Sequence, residues 1–356
     1  MLKKRWLGAA IAIAVFLSAC GAGYTQQTAP AQQDLHVAVS PGNLHERQTA
    51  EIVLAVSRDA SDVLVSAAQY FAAEFEERTN GAITVRVQLS VAPDADLLTG
   101  RAQIALLSKR RHLEFCEPLA ASGAPFLYNG YNNFLMRANA GSVMSVLEFS
   151  LRENHGLVPL AAFYQGSKHL LVDFSPGGYQ NYDSMTIITS EDEEVRASFG
   201  RLVGAGGGTI PFDADEDRME NFLFGAGNAA EIRLEALMGM QEGFDYQVHL
   251  ITSYHDLVPV WLVACARFID DLSPLWLAEL NELQAYMASR INDAYRAVDI
   301  ELLRAIREIP NLTVESGFAH ARNRVFSTLQ PLGEEAGDSQ RLARDLLTIM
   351  RGAATA

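Results

Sequence analysis

Apolar residues recur along the chain with two alternating periods, and that alternation outlines a fold. Ile52-Val53-Leu54-Ala55-Val56 is an apolar run short enough for a buried strand. Leu64, Ala67, Ala68, Phe71 and Phe75 then recur at helical spacing, with Ser61 placed to cap the helix and Gly81 to end it. Ile83, Val85, Val87 and Leu89 alternate with Thr84, Arg86 and Gln88, the period of a strand with one apolar face. Strand, helix, strand implies parallel neighbours joined by a right-handed crossover, and Ile104 to Leu107 adds a further strand.

Residues 131 to 153 are patterned as helix, and 157–163 and 169–172 as strands leading out of this first lobe. After a turn at Pro176-Gly177-Gly178, Met185 to Ile188 reads as a strand feeding a helix whose start, Ser190 to Glu193, has the form of a capping box. Further helices are predicted for Asp213 to Phe224 and Glu231 to Met240. Strands are predicted at Val248 to Ile251 and at Val258 to Ala264, the latter returning to the first lobe. Pro274 to Ile309 and Phe318 to Met350 carry helical patterning, the second broken near Pro331-Leu332-Gly333. The expected class is α/β, in a two-lobed, periplasmic binding protein type II-like fold with long C-terminal helices. Lobe I takes residues 51–173 and 256–315, lobe II 174–255, and 316–356 form a C-terminal helical segment.

At 356 residues the chain exceeds the size at which one core usually stops growing, which agrees with two lobes. Its formal charge of -15 disfavours a nucleic-acid partner, because phosphates must be neutralised by cations. The N-terminus changes the picture further. Lys3, Lys4 and Arg5 precede a short apolar stretch and then Leu17-Ser18-Ala19-Cys20, the pattern of a lipoprotein signal peptide (1–20) in which Cys20 is acylated after cleavage. Residues 21–50 read as a flexible tether, rich in Gly, Ala, Gln, Thr and Pro. The protein is therefore expected to be periplasmic or otherwise extracytoplasmic, held to a membrane by lipid, where Cys116 and Cys265 are permitted to pair but equally suit buried thiols.

Catalytic chemistry finds no local signature: there is no Gly-x-Ser-x-Gly elbow and no Ser-x-x-Lys. Gly204-Ala205-Gly206-Gly207-Gly208 follows a helix rather than opening one, so it reads as a helix-ending loop and not a phosphate cradle. The acidic run Glu191-Asp192-Glu193-Glu194 fits a first helical turn. His112, Glu114 and Cys116 would share one side of a strand, a spacing compatible with metal ligands but without the second half of a site. No metal or cofactor is expected, and the chain reads as a receptor rather than an enzyme.

Several segments in order resemble the solute receptors of tripartite ATP-independent periplasmic (TRAP) transporters, over roughly residues 52–315. They are Ala67 to Gly81 with the strand that follows, Ala124-Pro125-Phe126-Leu127-Tyr128, Gly204-Ala205 with Pro211-Phe212, and Gly225-x-x-Asn228-Ala229-Ala230-Glu231. Thr252-Ser253-Tyr254-His255 and Phe268 to Pro274 complete the series. The resemblance implies a small molecule clamped between lobes and handed to a membrane permease, with a second-lobe arginine gripping the ligand carboxylate. Here the family's Gly-x-Lys-x-Arg strand falls on Ser184 to Ile188, so isoleucine stands at the arginine position, and the second basic position falls near Asp173 or Phe174. The expected ligand is therefore uncharged or apolar, with Phe126, Tyr128, Tyr164, Ile188, Phe212, Asn228, Glu231 and His255 as candidate pocket residues. Two alternatives stay open: a lipoprotein that kept the fold but acts as a sensing or scaffolding partner, and a secreted hydrolase without local motifs.

Overall fold

The computed structural model describes residues 50–175, 182–212, 214–316, 343 and 345–350. The signal segment, Cys20, the tether, the turn at 176–178 and most of the helix expected after 318 lie outside the described residues. The first lobe opens with β1 (Ala50–Ser57), α1 (Asp62–Arg78), β2 (Ile83–Ser90), α2 (Pro93–Leu98) and β3 (Ile104–Leu107). As the apolar spacing requires, α1 starts at Ser61, whose hydroxyl accepts from the Leu64 N–H, and it buries Leu64, Ala68, Phe71 and Phe75. Next come α3 (Glu117–Ala121), α4 (Tyr131–Ala138), α5 (Gly141–His155) and β4 (Leu157–Phe163). The helical stretch from 131 is thus two helices. Asn139 divides them because its amide bonds to strand backbone instead, accepting from Ala162 N at 2.8 Å and donating to Ala162 O at 2.9 Å.

The second lobe holds β5 (Lys168–Val172), β6 (Thr186–Thr189), α6 (Glu193–Val203), β7 (Gly208–Pro211), α7 (Asp215–Leu223), β8 (Ala229–Arg233) and β9 (Val248–Asp256). The chain then returns through β10 (Val260–Cys265), α8 (Ala266–Asp271) and α9 (Pro274–Ile306), and ends its strands with β11 (Leu312–Ser316). One sheet has the order β2-β1-β3-β10-β4, the other β11-β9-β5-β8-β6-β7. Both mix parallel and antiparallel pairs, with β10 antiparallel to β3 and β4, and β5 antiparallel to β8 and β9.

Three expectations are corrected. β5 and β11 belong to the second sheet, so the first crossing falls at residues 164–167 rather than after 173, and 312–316 leave lobe I. Glu231 lies in a strand and not in a helix: β8 pairs on both sides and buries Ala229, Ala230 and Ile232, so sheet packing overrides the propensity of Ala and Glu, and only a 3-10 turn at Leu234–Gly239 follows. The cap of α6 is Asp192 rather than Ser190, its carboxylate accepting from the N–H groups of Glu194 and Val195.

Each sheet is covered on both faces. Phe71, Phe75, Trp276 and Leu280 pack on one face of the first sheet, and Tyr128, Phe134, Leu147 and Trp261 on the other. Leu346 and Met350, from the far end of the chain, complete that second layer, and the Arg137 guanidinium donates to the Met350 carbonyl. The 33-residue α9 is about 50 Å long. It buries Trp276, Leu283 and Ile291 in the first lobe and Ile306 in the second, so it braces both. Among the described residues no helix is long and apolar enough to cross a membrane.

Candidate functional site

Between the lobes lies a partly buried cluster of charges contributed by five separate places in the chain. Arg110 opens a single 3-10 turn just after β3. Lys168 is the first residue of β5, Asp256 the last of β9, Glu231 the middle of β8, and Asp192 and Glu194 sit at the start of α6. Arg110 therefore reaches from the first lobe into the second. Its Nε donates to Asp192 Oδ2 at 3.0 Å, Nη1 to Glu194 Oε2 at 2.9 Å and to the Gly123 carbonyl, and Nη2 to Asp256 Oδ1 at 2.5 Å. Lys168 Nζ stands 2.7 Å from Glu231 Oε1 and 2.9 Å from Asp256 Oδ2. The other Glu231 oxygen accepts from Thr189 Oγ1 and from Ser190 N, each at 2.6 Å.

His255 closes the cluster on one side, with Nε2 3.7 Å from Glu231 Oε1 and Nδ1 2.7 Å from Ser253 Oγ. Burial alone would raise the Glu231 carboxyl, but the Lys168 ammonium and His255 outweigh it and hold it well below the usual carboxylate range. Burial likewise opposes ionisation of Asp256, and Lys168 and Arg110 overcome it, leaving a pKa of about 2. Both cations are held above their ordinary values against the cost of burial, by Asp256 first and then by Glu194 for Arg110 and Glu231 for Lys168. Two fixed cations thus face four carboxylates, and every nitrogen of the Arg110 guanidinium already has an oxygen partner within the chain.

Of the eight residues singled out in the sequence, three meet here. Phe126 adopts a left-handed φ of 64°, donates its N–H to the His255 carbonyl at 2.6 Å, and places its ring 5.7 Å from both Phe199 and His255. With Glu231 and His255 it forms the cluster's wall. The others serve elsewhere. Tyr128 is buried in the first lobe with its hydroxyl on Ser122 O, and Tyr164 in the same layer with its hydroxyl on Asp299. Asn228 brackets β6, its Oδ1 accepting from Thr186 N at 2.8 Å, and the Phe212 carbonyl accepts from Arg218.

Ile188 is fully buried with Leu171, Phe222 and Ala230 inside the second lobe, so its side chain has no share in the interlobe surface, and the expected aliphatic clamp gives way to an ionic one. The basic groups of the interlobe cluster are Arg110 and Lys168. Sequence reading missed Arg110, Lys168, Asp192, Glu194 and Asp256 because no local motif joins them. One signal was present: the chain has only four lysines, and Lys168 opens an otherwise apolar strand. The metal reading at His112, Glu114 and Cys116 fails, since Arg110–His112 is a turn and no strand carries the three on one side. Among the described residues no group of His, Cys, Asp or Glu is set to hold a metal. Cys116 and Cys265 are free thiols, and Gly204 ends α6 with φ 63° as a helix-stopping glycine does.

No family model matches the chain, and no curated protein matches it. Solved structures do. A TRAP periplasmic solute-binding protein from Rhodobacter sphaeroides, in an apo open state, superposes with a TM-score of 0.71 at 14% identity, over 86% of this chain and 99% of that one. The chain has the TRAP solute-binding protein fold. The counterpart from Ochrobactrum anthropi, whose own C-terminus occupies its ligand-binding pocket, gives 0.64 at 17% identity, over 86% and 97%. One from Desulfovibrio desulfuricans with bound sn-glycerol-3-phosphate gives 0.58 at 15%, over 86% and 98%. In this TRAP fold the buried ion cluster sits where the two lobes face each other.

Proposed function

We propose that this chain is an extracytoplasmic solute receptor, lipid-anchored through Cys20 and serving a TRAP-type permease, whose interlobe site takes an uncharged molecule. The observation that carries this reading is the saturated state of Arg110 and Lys168. A ligand carboxylate arriving there would have to displace Asp192, Glu194, Asp256 or Glu231 from its cation, and four carboxylates against two cations repel it. Leaving the buried Asp256 or Glu231 unpaired costs roughly 3–5 kcal/mol, enough to erase useful affinity. The eight candidate residues are carried forward unequally: Phe126, Glu231 and His255 border the proposed site, while Ile188 supports it only through the second lobe's core.

The same cluster favours a second reading, in which the lobes are held together by the protein's own ions and the chain acts by contacting partner proteins. Thermal-shift and calorimetric titration of the mature chain with succinate, galactonate, glycerol and D-glucose separate the two. Stabilisation by an uncharged solute supports the receptor, because a ligand selective for the native state raises its stability. Submicromolar binding of succinate or galactonate would refute the uncharged-ligand reading, and no response to any solute favours the partner-binding one.

A further inference from the structure

A groove of about 380 Å³ lies apart from the ion cluster, where the loop entering α4 meets β9 and the C-terminal half of α9. None of the residues lining it belongs to the cluster. The strand that joins the two places is irregular. Leu170 faces Ile251, yet Lys168 faces Asp256, so residues 252–255 bulge out of the β5–β9 ladder. The bulge sends neighbouring side chains to different duties: His255 turns to Glu231, and Tyr254 lines the groove. Tyr254 adopts φ 49°, a left-handed conformation that a bulky residue keeps only when its surroundings over-determine it, at a cost on the order of 1–3 kcal/mol. Bulges and such outliers concentrate where a side chain is being re-aimed for a purpose.

The groove's polar groups are arranged without full mutual satisfaction. Asp299 receives the Tyr164 hydroxyl on Oδ2, and its Oδ1 has no hydrogen bond among the described residues. The Tyr254 hydroxyl is free in the same sense. Arg296 lies over the Tyr131 ring at 4.8 Å and forms no ion pair among the described residues. Burial raises the Asp299 carboxyl to about 6.

We infer that this groove binds an uncharged polyhydroxylated molecule, a sugar ring or short oligosaccharide. Arg296 and Asp299 carry opposite charges, so the site selects no net charge. The amides of Asn132 and Asn133 each present both donors and acceptors, as hydroxyl groups require. Tyr254 supplies a flat apolar face with a polar tip, matching a ring that is apolar on its C–H faces and polar at its rim, while Tyr131 holds Arg296 over its own ring. The volume falls at the lower end of the range of about 300–1,000 Å³ typical of small-ligand sites.

The test uses the mature chain with D-glucose, N-acetyl-D-glucosamine and maltose, read by saturation-transfer NMR and calorimetry. At least one probe is expected to bind, with affinity falling tenfold or more in Tyr254→Phe and in Asn132→Ala. Asn132 is exposed, so its substitution leaves folding intact even if the strained Tyr254 site does not tolerate change. Binding of none of the three probes, or binding that survives both groove substitutions, overturns the assignment. The second outcome would place the sugar between the lobes and leave the receptor reading standing.

Discussion

Glu231 has no exposed surface, and its two oxygens divide their partners between an ammonium on one side and two neutral donors on the other. Glu231→Gln keeps the shape and removes the charge, leaving Lys168 with Asp256 alone. Urea denaturation should show a loss of about 3–5 kcal/mol, the usual result of breaking one side of a buried pair. A loss below about 1 kcal/mol would mean the pair is solvated in solution. Titration sharpens the point. Glu231 and Asp256 have folded pKa values below their unfolded ones, so their contribution is complete above about pH 4.5 and is lost as pH falls toward 2. Asp299 has the opposite sign: raised to about 6 by burial, it costs stability as pH rises from about 4 to 6, on the order of 3 kcal/mol. Asp299→Asn should therefore flatten the stability profile between pH 4 and 6 and leave the acid limb unchanged. Glu231 was legible from its place in a family-like segment, whereas Lys168 was not, because a lone lysine at a strand end reads as solvated until the opposing carboxylates are known.

Helix α6 begins with a residue doing two jobs. Asp192 caps the first turn and also accepts from Arg110 across the lobes. The two contributions separate by substitution, since asparagine caps nearly as well as aspartate but carries no charge. Asp192→Asn should preserve the helix and weaken only the ionic bridge, while Asp192→Ala should cost about 1 kcal/mol more in chemical denaturation. Equal losses in the two variants would assign the whole effect to the ion pair. At this scale the sequence was informative wherever one face alone is buried. The stripe of α1 and the alternation of β2 have that character. It failed at β8, where Ala229-Ala230-Glu231-Ile232-Arg233 has helix-forming composition and becomes a strand only because β5 and β6 flank it. Similarly, α9 and β3 stand close to where the pattern placed them, but the partners of β5 and β11 depend on pairings more than fifty residues apart that no local period encodes.

For the whole molecule, the question is what holds two lobes at one separation. The helix α9 braces them along one side, and among the described residues Arg110 is the single guanidinium paired from the first lobe to α6. Removing its charge in Arg110→Gln cuts the ionic tie between the first lobe and Asp192, Glu194 and Asp256 of the second, so the separated arrangement is favoured. A closed chain of this length should have a radius of gyration of about 20 Å, and small-angle scattering of the variant should show a larger value than wild type. Adding Asp192→Asn and Glu194→Gln to Arg110→Gln relieves the repulsion left among the second lobe's carboxylates, so the triple variant should recover part of the stability that the single variant loses in urea denaturation. That non-additivity is the signature of charges acting on one another rather than of three separate structural lesions. Raising salt to about 1 M shortens the screening length to about 3 Å. It should therefore narrow the difference between Arg110→Gln and wild type, while a gap indifferent to salt would shift the cause from ionic contact to lost packing of the arginine stem.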